Sequence, residues 1–159
     1  MKKLSINTEY ARRHLFAVLV TFGLALWFAY DGFISYPATP AAELYKIIEK
    51  AEATAAVDLE AFKEQKILSQ IGFAALSFIA SLTVFLRLLS SFLFKFSYDG
   101  KAFVWKGKTY SYSDIKAVDL RLWSKKGIAC LTLDDGAKIT LDSWHHRSVG
   151  FFLESLPSN

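Results

Sequence analysis

Two long stretches without a charged side chain decide most of what this chain can become. Residues 15–30 (LFAVLVTFGLALWFAY) and residues 67–86 (ILSQIGFAALSFIASLTVFL) hold no Asp, Glu, Lys or Arg. A helix rises about 1.5 Å per residue, so about 20 apolar residues cross the ~30 Å hydrocarbon core of a bilayer. The second stretch reaches that length by itself, and past Arg87 it resumes as LLSSFLF, enough to cross with some tilt. The first is slightly short, but Phe33, Ile34 and Tyr36 extend its apolar character beyond Asp31. Trp27, Tyr30 and Tyr36 suit the aromatic belt found where a helix leaves the bilayer. The expectation is a pair of membrane-spanning helices, residues 15–36 and 67–93. A cleaved secretory signal is the rival for the first, since Lys2, Lys3, Arg12 and Arg13 resemble its basic leader. No clean small-x-small cleavage site precedes Asp31, and the aromatic exit is wrong for one.

Segregation carries this inference, not the totals. At 53% hydrophobic and 21% charged, the chain of 159 residues is close to a globular average. Arg87, near one end of the second span, is placed to snorkel toward headgroups rather than sit as a buried functional charge. Gly72, Ala74, Ala75, Ser77, Ala80 and Ser81 line that span with small side chains, which lets a neighbour approach closely, and the first helix is the simplest neighbour.

The segment between the spans, residues 37–66, is rich in Ala, Glu, Lys and Leu. Thr39 is a candidate cap, Pro40 suits a first helical turn, and Glu43 complements the helix dipole. No Gly or Pro follows until Gly72, so a single helix is expected to run from this loop into the second span. Leu44, Ile47, Ile48, Ala51, Ala55, Leu59 and Phe62 recur at helical spacing and form an apolar stripe. A stripe in water must be covered, by the bilayer, by the chain's own loop or by another subunit; the last makes these residues candidate partner contacts.

Charge orients the arrangement. Residues 1–14 carry a net +3, residues 31–66 a net −3 and residues 94–159 a net +3. Four basic residues precede the first span, and Arg87, Lys95 and Lys101 close or follow the second, against Lys63 and Lys66 at the end of the loop. The positive-inside rule then puts residues 1–14 and 94–159 on the cytoplasmic side and the loop outside.

From Phe94 the pattern changes to short strands separated by turn signals. FKFSY ends at Asp99-Gly100, a type I′ hairpin signal. Phe103 and Trp105 alternate with polar neighbours, as do Val118, Leu120 and Leu122. Lys125-Lys126-Gly127 and Asp134-Asp135-Gly136 mark further turns around residues 128–133 and AKITLD. Five or six strands in a meander are expected. Asp142-Ser143 is a candidate cap for a terminal helix whose apolar face is Trp144, Val149, Phe152 (or Phe151) and Leu156.

The string YSYSDIKAVDLRLWSKKGIACLTLDDGAKITLDSWHH, with the helix that follows, resembles the bacterial pleckstrin-homology-like domains attached to short membrane hairpins. Tyr112, Asp114 and Ile115 stand at the aromatic-to-Ser/Asp-Ile step of that family, and residues 144–156 at its plugging helix. The resemblance covers residues 94–159, a short version of the fold. It implies an α+β membrane protein: a transmembrane hairpin, a long extramembrane helix extending span two, and a small antiparallel β-domain with a terminal helix. It implies placement in the bacterial cytoplasmic (inner) membrane. It carries no catalytic residues and implies binding or scaffolding at a membrane.

Chemistry is sparse. Cys130 is the only cysteine, which excludes an internal disulfide and a thiolate metal cluster. It is expected mid-strand among Ile128, Leu131 and Leu133, where a buried cysteine is ordinary. His145-His146 with Asp134, Asp135 and Asp142 is the only group resembling metal ligands; adjacent histidines on a helix diverge, so one exposed and one half-buried histidine is the simpler reading. No nucleophile triad, phosphate-cradling glycine loop or dinucleotide fingerprint occurs. No catalytic residue, metal or cofactor is assigned, and no enzyme is expected. Lys106, Lys108, Lys125 and Lys126 are candidate contacts to anionic lipid or an acidic partner, at roughly 1 kcal/mol for each basic group near an anionic leaflet. Nucleic acid is not expected, because the aromatics of residues 94–159 fall at core-facing positions. The leading expectation is an accessory or scaffold subunit of a larger membrane complex, contacting other subunits or itself. The alternative is a membrane-anchored sensor of anionic lipid or a small ligand. An enzyme or small transporter is third, since only Arg87, Asp31 and the histidine pair could serve it.

Overall fold

The computed structural model describes residues 1–52 and 57–157. The fold is α+β, with long helices and antiparallel sheets, and it divides into two compact units. One comprises Met1–His14 and Leu86–Asn159; the other is Leu15–Phe85, which falls between the two pieces of the first in chain order.

The helical unit is built on two helices long and apolar enough to cross a membrane, Thr8–Ala38 and Leu59–Leu93. The first begins as α1 (Thr8–Tyr30), passes through a π-helical turn at Asp31–Ser35 and ends as α2 (Tyr36–Ala38). Pro37 accounts for the irregularity: it has no N–H to give, and in the wider turn the Tyr36 N–H reaches the Asp31 carbonyl instead. Asp31 does not stand bare at this point, because one carboxylate oxygen accepts the Trp27 indole N–H at 2.9 Å.

α4 (Leu59–Leu93) packs on this helix through small residues. Ala74 and Ser81 are buried and Ser77 is half-buried, a spacing that keeps all three on one helix face. The Ser81 hydroxyl donates to the Val18 carbonyl at 3.2 Å. Gly72, Ala75 and Ala80 face outward. Small residues were thus needed for the chain's own hairpin, on half of the positions at which they occur. Gly32 is the closest approach: a Cβ there would lie 3.0 Å from Ile71 Cγ1 and 3.2 Å from the Ile71 backbone nitrogen.

The expected continuous helix from the loop into span two is interrupted. α3 (Ala41–Glu49) stops where Lys50 turns left-handed (φ 55°), and among the described residues the next helix begins at Leu59. α3 instead folds back on the start of α4. Leu44 is buried, Tyr45 meets Phe62 with ring centroids 4.9 Å apart, and Glu49 lies 3.6 Å from the Lys66 ammonium. Good helix formers set a weak preference, and these contacts override it. Asp58 caps the new start by accepting the Ala61 N–H at 3.1 Å, so Asp58 followed by Glu60 was a legible start signal.

Among the described residues, the β-rich unit has seven strands in two antiparallel sheets. β1 (Lys2–Lys3), β2 (Phe96–Tyr98), β3 (Ala102–Trp105) and β4 (Lys108–Ser111) form one; β5 (Ile115–Asp119), β6 (Ile128–Leu133) and β7 (Lys138–Asp142) form the other. Six of these correspond to the five or six strands expected from sequence, but they divide between two sheets, β5 ends at Asp119, and Val118, Leu120 and Leu122 are exposed. The seventh is supplied by residues 1–14, which sequence reading treated as a separate polar segment: Lys2 and Lys3 pair with Tyr98 and Ser97, Leu4 is buried, and Ile6 bridges to His146. The left-handed two-residue turn is not at Asp99-Gly100. Lys106 and Gly107 have φ of 50° and 80° and join β3 to β4, while Asp99 makes its turn by accepting the Lys101 and Ala102 N–H groups.

The terminal helix is shorter than expected. α5 (Trp123–Lys126) precedes β6, and α6 (Val149–Glu154) is the last element. Trp144 and residues through Ser148 lie outside α6, and Trp144 is exposed. Phe152, not Phe151, is the inward residue; it sits within 4.9 Å of Phe96 and 5.1 Å of Tyr98 between ring centroids. With Phe103, Leu131, Leu133, Ile139, Leu141 and Val149 it makes the core between the sheets.

Candidate functional site

The step between the two sheets is built by Ser111 and Asp114. The Asp114 carboxylate accepts the Ser111 N–H at 2.8 Å, and the Ser111 hydroxyl oxygen accepts the Ser113 N–H, a reciprocal cap on a single 3₁₀ turn. Ile115 then opens β5. Tyr112 packs against Phe103 and Phe152, and its hydroxyl donates to the Asp99 carbonyl. The three residues singled out in sequence therefore perform a structural task, turning the chain from one sheet to the next.

The four candidate lysines divide between two elements. Lys106 sits in the β3–β4 turn with its ammonium 4.7 Å from the centre of the Trp105 ring. Lys108 begins β4, lies 3.3 Å from Asp135, and covers the Tyr110 ring at 4.9 Å. The Asp135 carboxylate raises the Lys108 pKa above the ordinary lysine value, so its charge is already answered. Lys125 and Lys126 are exposed on α5, and among the described residues neither has an ion-pair partner. They are the two freest of the four.

The loop stripe does not form one surface. Leu44 is 2% exposed, whereas Ile47 is 62% exposed. Ile48, Leu59 and Phe62 are half-buried and Ala51 is exposed; Ala55 lies outside the described residues. Leu44, used up within its own unit, is removed from the candidate partner contacts, and Ile47 becomes the main apolar group presented.

The histidine pair belongs to a third place, which sequence reading treated only as a failed metal site. Among the described residues no group of three or more His, Cys, Asp or Glu could hold a metal ion. His146 is buried, and its Nε2–H donates to the Ser91 carbonyl at 3.2 Å, tying the end of α4 to the connection after β7. Burial holds its pKa below the ordinary histidine value, against the pull of the Ser91 carbonyl. His145 is half-exposed, with Nδ1 3.6 Å from Asp142 and its ring 4.4 Å from that of Tyr10. Tyr10 is fully buried and also stacks on His14 at 3.9 Å, and Arg13 covers Trp144 at 5.5 Å. Cys130 points outward from β6, half-buried, and not into the core with Leu131 and Leu133 as expected.

The sequence signal for Tyr10 was weak, a single aromatic among polar residues of the N-terminal segment. Comparison of the chain with protein-family models, curated proteins and solved structures finds no match.

Proposed function

We propose that this chain is a two-pass anchor in a bacterial cytoplasmic membrane that serves as a non-catalytic accessory or scaffold subunit of a larger membrane complex. Residues 1–14 and 94–159 lie on the cytoplasmic side, residues 94–159 forming a pleckstrin-homology-like domain to which residues 1–14 add a strand; the loop around α3 lies outside. The observation that carries the reading is the placement of apolar side chains on the two long helices. Only 11% and 17% of their most apolar windows are buried, and Phe16, Leu19, Trp27, Leu68, Leu76 and Ile79 all stand exposed. A core helix of a water-soluble protein covers such groups; a bilayer solvates them. Two antiparallel sheets of four and three strands with a helix packed into their core support the domain assignment. Exposed Ile47 supports a contact with another subunit.

Three measurements test it. In membranes, the chain should resist alkaline carbonate extraction. In a Cys130→Ser background, Lys125→Cys should react with an impermeant maleimide only after permeabilisation, and Ile47→Cys from outside. A photo-cross-linker at Ile47 should capture a neighbouring subunit and one at Leu44 should not. A carbonate-soluble chain, or a membrane-bound monomer silent at Ile47, overturns the reading.

A second reading has one observation in its favour: Lys125 and Lys126 are exposed and without carboxylate partners among the described residues. As a sensor of anionic lipid, the domain would lose vesicle binding on charge reversal at both, in a salt-dependent way.

A further inference from the structure

We propose that the cavity lined by Tyr10, Arg87, Ser90, Thr140 and His145 binds the phosphodiester of an anionic phospholipid with a hydroxyl-bearing headgroup. Its volume is about 450 Å³, and every lining residue belongs to the β-rich unit. The inference rests on the membrane reading above, which sets the depth of the cavity. Twenty uncharged residues, 67–86, precede Arg87; at about 1.5 Å each they match the ~30 Å hydrocarbon core, so Arg87 falls at its edge. On α1 the uncharged run starts at Leu15, five residues after Tyr10, or about one and a half turns, which puts Tyr10 just outside the same kind of boundary. Both helix ends independently place the cavity in the layer that lipid phosphates occupy.

The charges suit that ligand. Arg12, Arg13 and Arg121 each hold a carboxylate, whereas Arg87 has none among the described residues. A guanidinium presents a fork of donors that fits two phosphate oxygens. Asp142 also lines the cavity, but one of its oxygens accepts the Trp144 N–H at 2.8 Å and the other faces His145 at 3.6 Å. It is beyond ion-pair range of Arg87. Ser90 and Thr140 bring exposed hydroxyls, the groups a polyol headgroup pairs with; that of Ser90 also donates to the Arg87 carbonyl at 2.8 Å, and Tyr10, 1% exposed, serves as a wall. A quaternary ammonium would meet Arg87 with like charge. Snorkelling alone would explain an arginine at a helix end; it would not explain exposed hydroxyl groups from both α4 and β7 around it.

The test is native mass spectrometry of the full chain in mild detergent with phosphatidylglycerol, phosphatidylcholine or inorganic phosphate added. The wild type should retain phosphatidylglycerol over phosphatidylcholine, and Arg87→Gln should lose about tenfold in retention, as expected for one charge-assisted hydrogen bond. Ser90→Ala should weaken retention less, and it guards against a folding defect in the first variant, which tryptophan fluorescence would report. Equal retention of both lipids, or undiminished retention by Arg87→Gln, overturns the site. Displacement of the lipid by millimolar inorganic phosphate overturns the lipid assignment in favour of a free anion. A chain that is carbonate-soluble fails the membrane reading; one that stays in the membrane and holds no lipid fails only the site.

Discussion

The helical unit and the β-rich unit use the same side chains in opposite ways. Phe16 is 69% exposed on α1, whereas Phe103 and Phe152 are 0% exposed between the sheets. The helical unit is held by small residues and backbone approach, Ser81 on Val18 and Gly32 on Ile71, with its large apolar groups turned outward. The β-rich unit is held by burying its large groups. On the proposed membrane reading, the difference teaches that the two units answer to different solvents: where hydrocarbon surrounds a helix, hiding a Phe gains little and close packing decides, and where water surrounds a sheet, hiding a Phe is the main driving force.

The sharpest way to break that contrast is at the two kinds of phenylalanine. Phe152→Ala should destabilise the β-rich unit by about 3–5 kcal/mol, enough to unfold a marginal domain. Phe16→Ala should leave thermal stability in detergent nearly unchanged; comparable losses from both would show that the helical unit also folds by burial in water. Next in size is Gly32→Leu, whose side chain has no room against the Ile71 backbone. A loss of about 1–3 kcal/mol is expected in the helical unit alone, read by thermal unfolding in micelles with hydrogen exchange assigning the unit.

Lys50→Gly should go the other way. The left-handed φ of 55° strains any residue with a Cβ, so glycine should stabilise the end of α3 by about 1 kcal/mol, seen as slower amide exchange from Ala41 to Glu49. If exchange is unchanged, the break between α3 and α4 is not set at Lys50.

The smallest effect concerns pH. The folded pKa of His146 lies below the ordinary value, mainly by burial, with His145 lowering it further and Asp142 and the Ser91 carbonyl opposing. The unfolded chain therefore takes up the proton first, near pH ~6.5. Stability present above that value is lost as pH falls from it toward the folded pKa. The chemical-denaturation midpoint of the β-rich unit should decline below pH ~6.5, and His146→Gln should flatten the decline. A decline of equal slope in the variant assigns it to another group.

Periodicity made much of this legible. The uncharged runs gave both long helices, and alternation with turn signals gave the five or six strands expected after Phe94, because each pattern needs only neighbours along the chain; the alternation of Leu120 and Leu122 past the end of β5 misled. What escaped depended on partners far away in sequence. β1 is two residues whose pairing partner lies past the whole helical unit, at Ser97 and Tyr98. The break at Lys50 carries no Gly or Pro; it follows from Tyr45 meeting Phe62. The Asp99-Gly100 signal was a good turn assigned the wrong geometry, since Asp99 satisfies the N–H groups locally. The cavity at Arg87 gathers residues from positions 10, 87, 90, 140 and 145, which no local motif joins.

The two uncharged runs remain the firmest statement in the chain, since the length and composition of a helix able to cross a bilayer are properties of consecutive residues. Tertiary structure alone decided that the N-terminal segment is a strand of the β-rich unit, that the loop stripe folds back on itself to bury Leu44, and that His146 ties the end of α4 to the connection after β7. Each joins groups whose free energy of contact exists only once the chain has brought them together, and so leaves no local mark in the sequence.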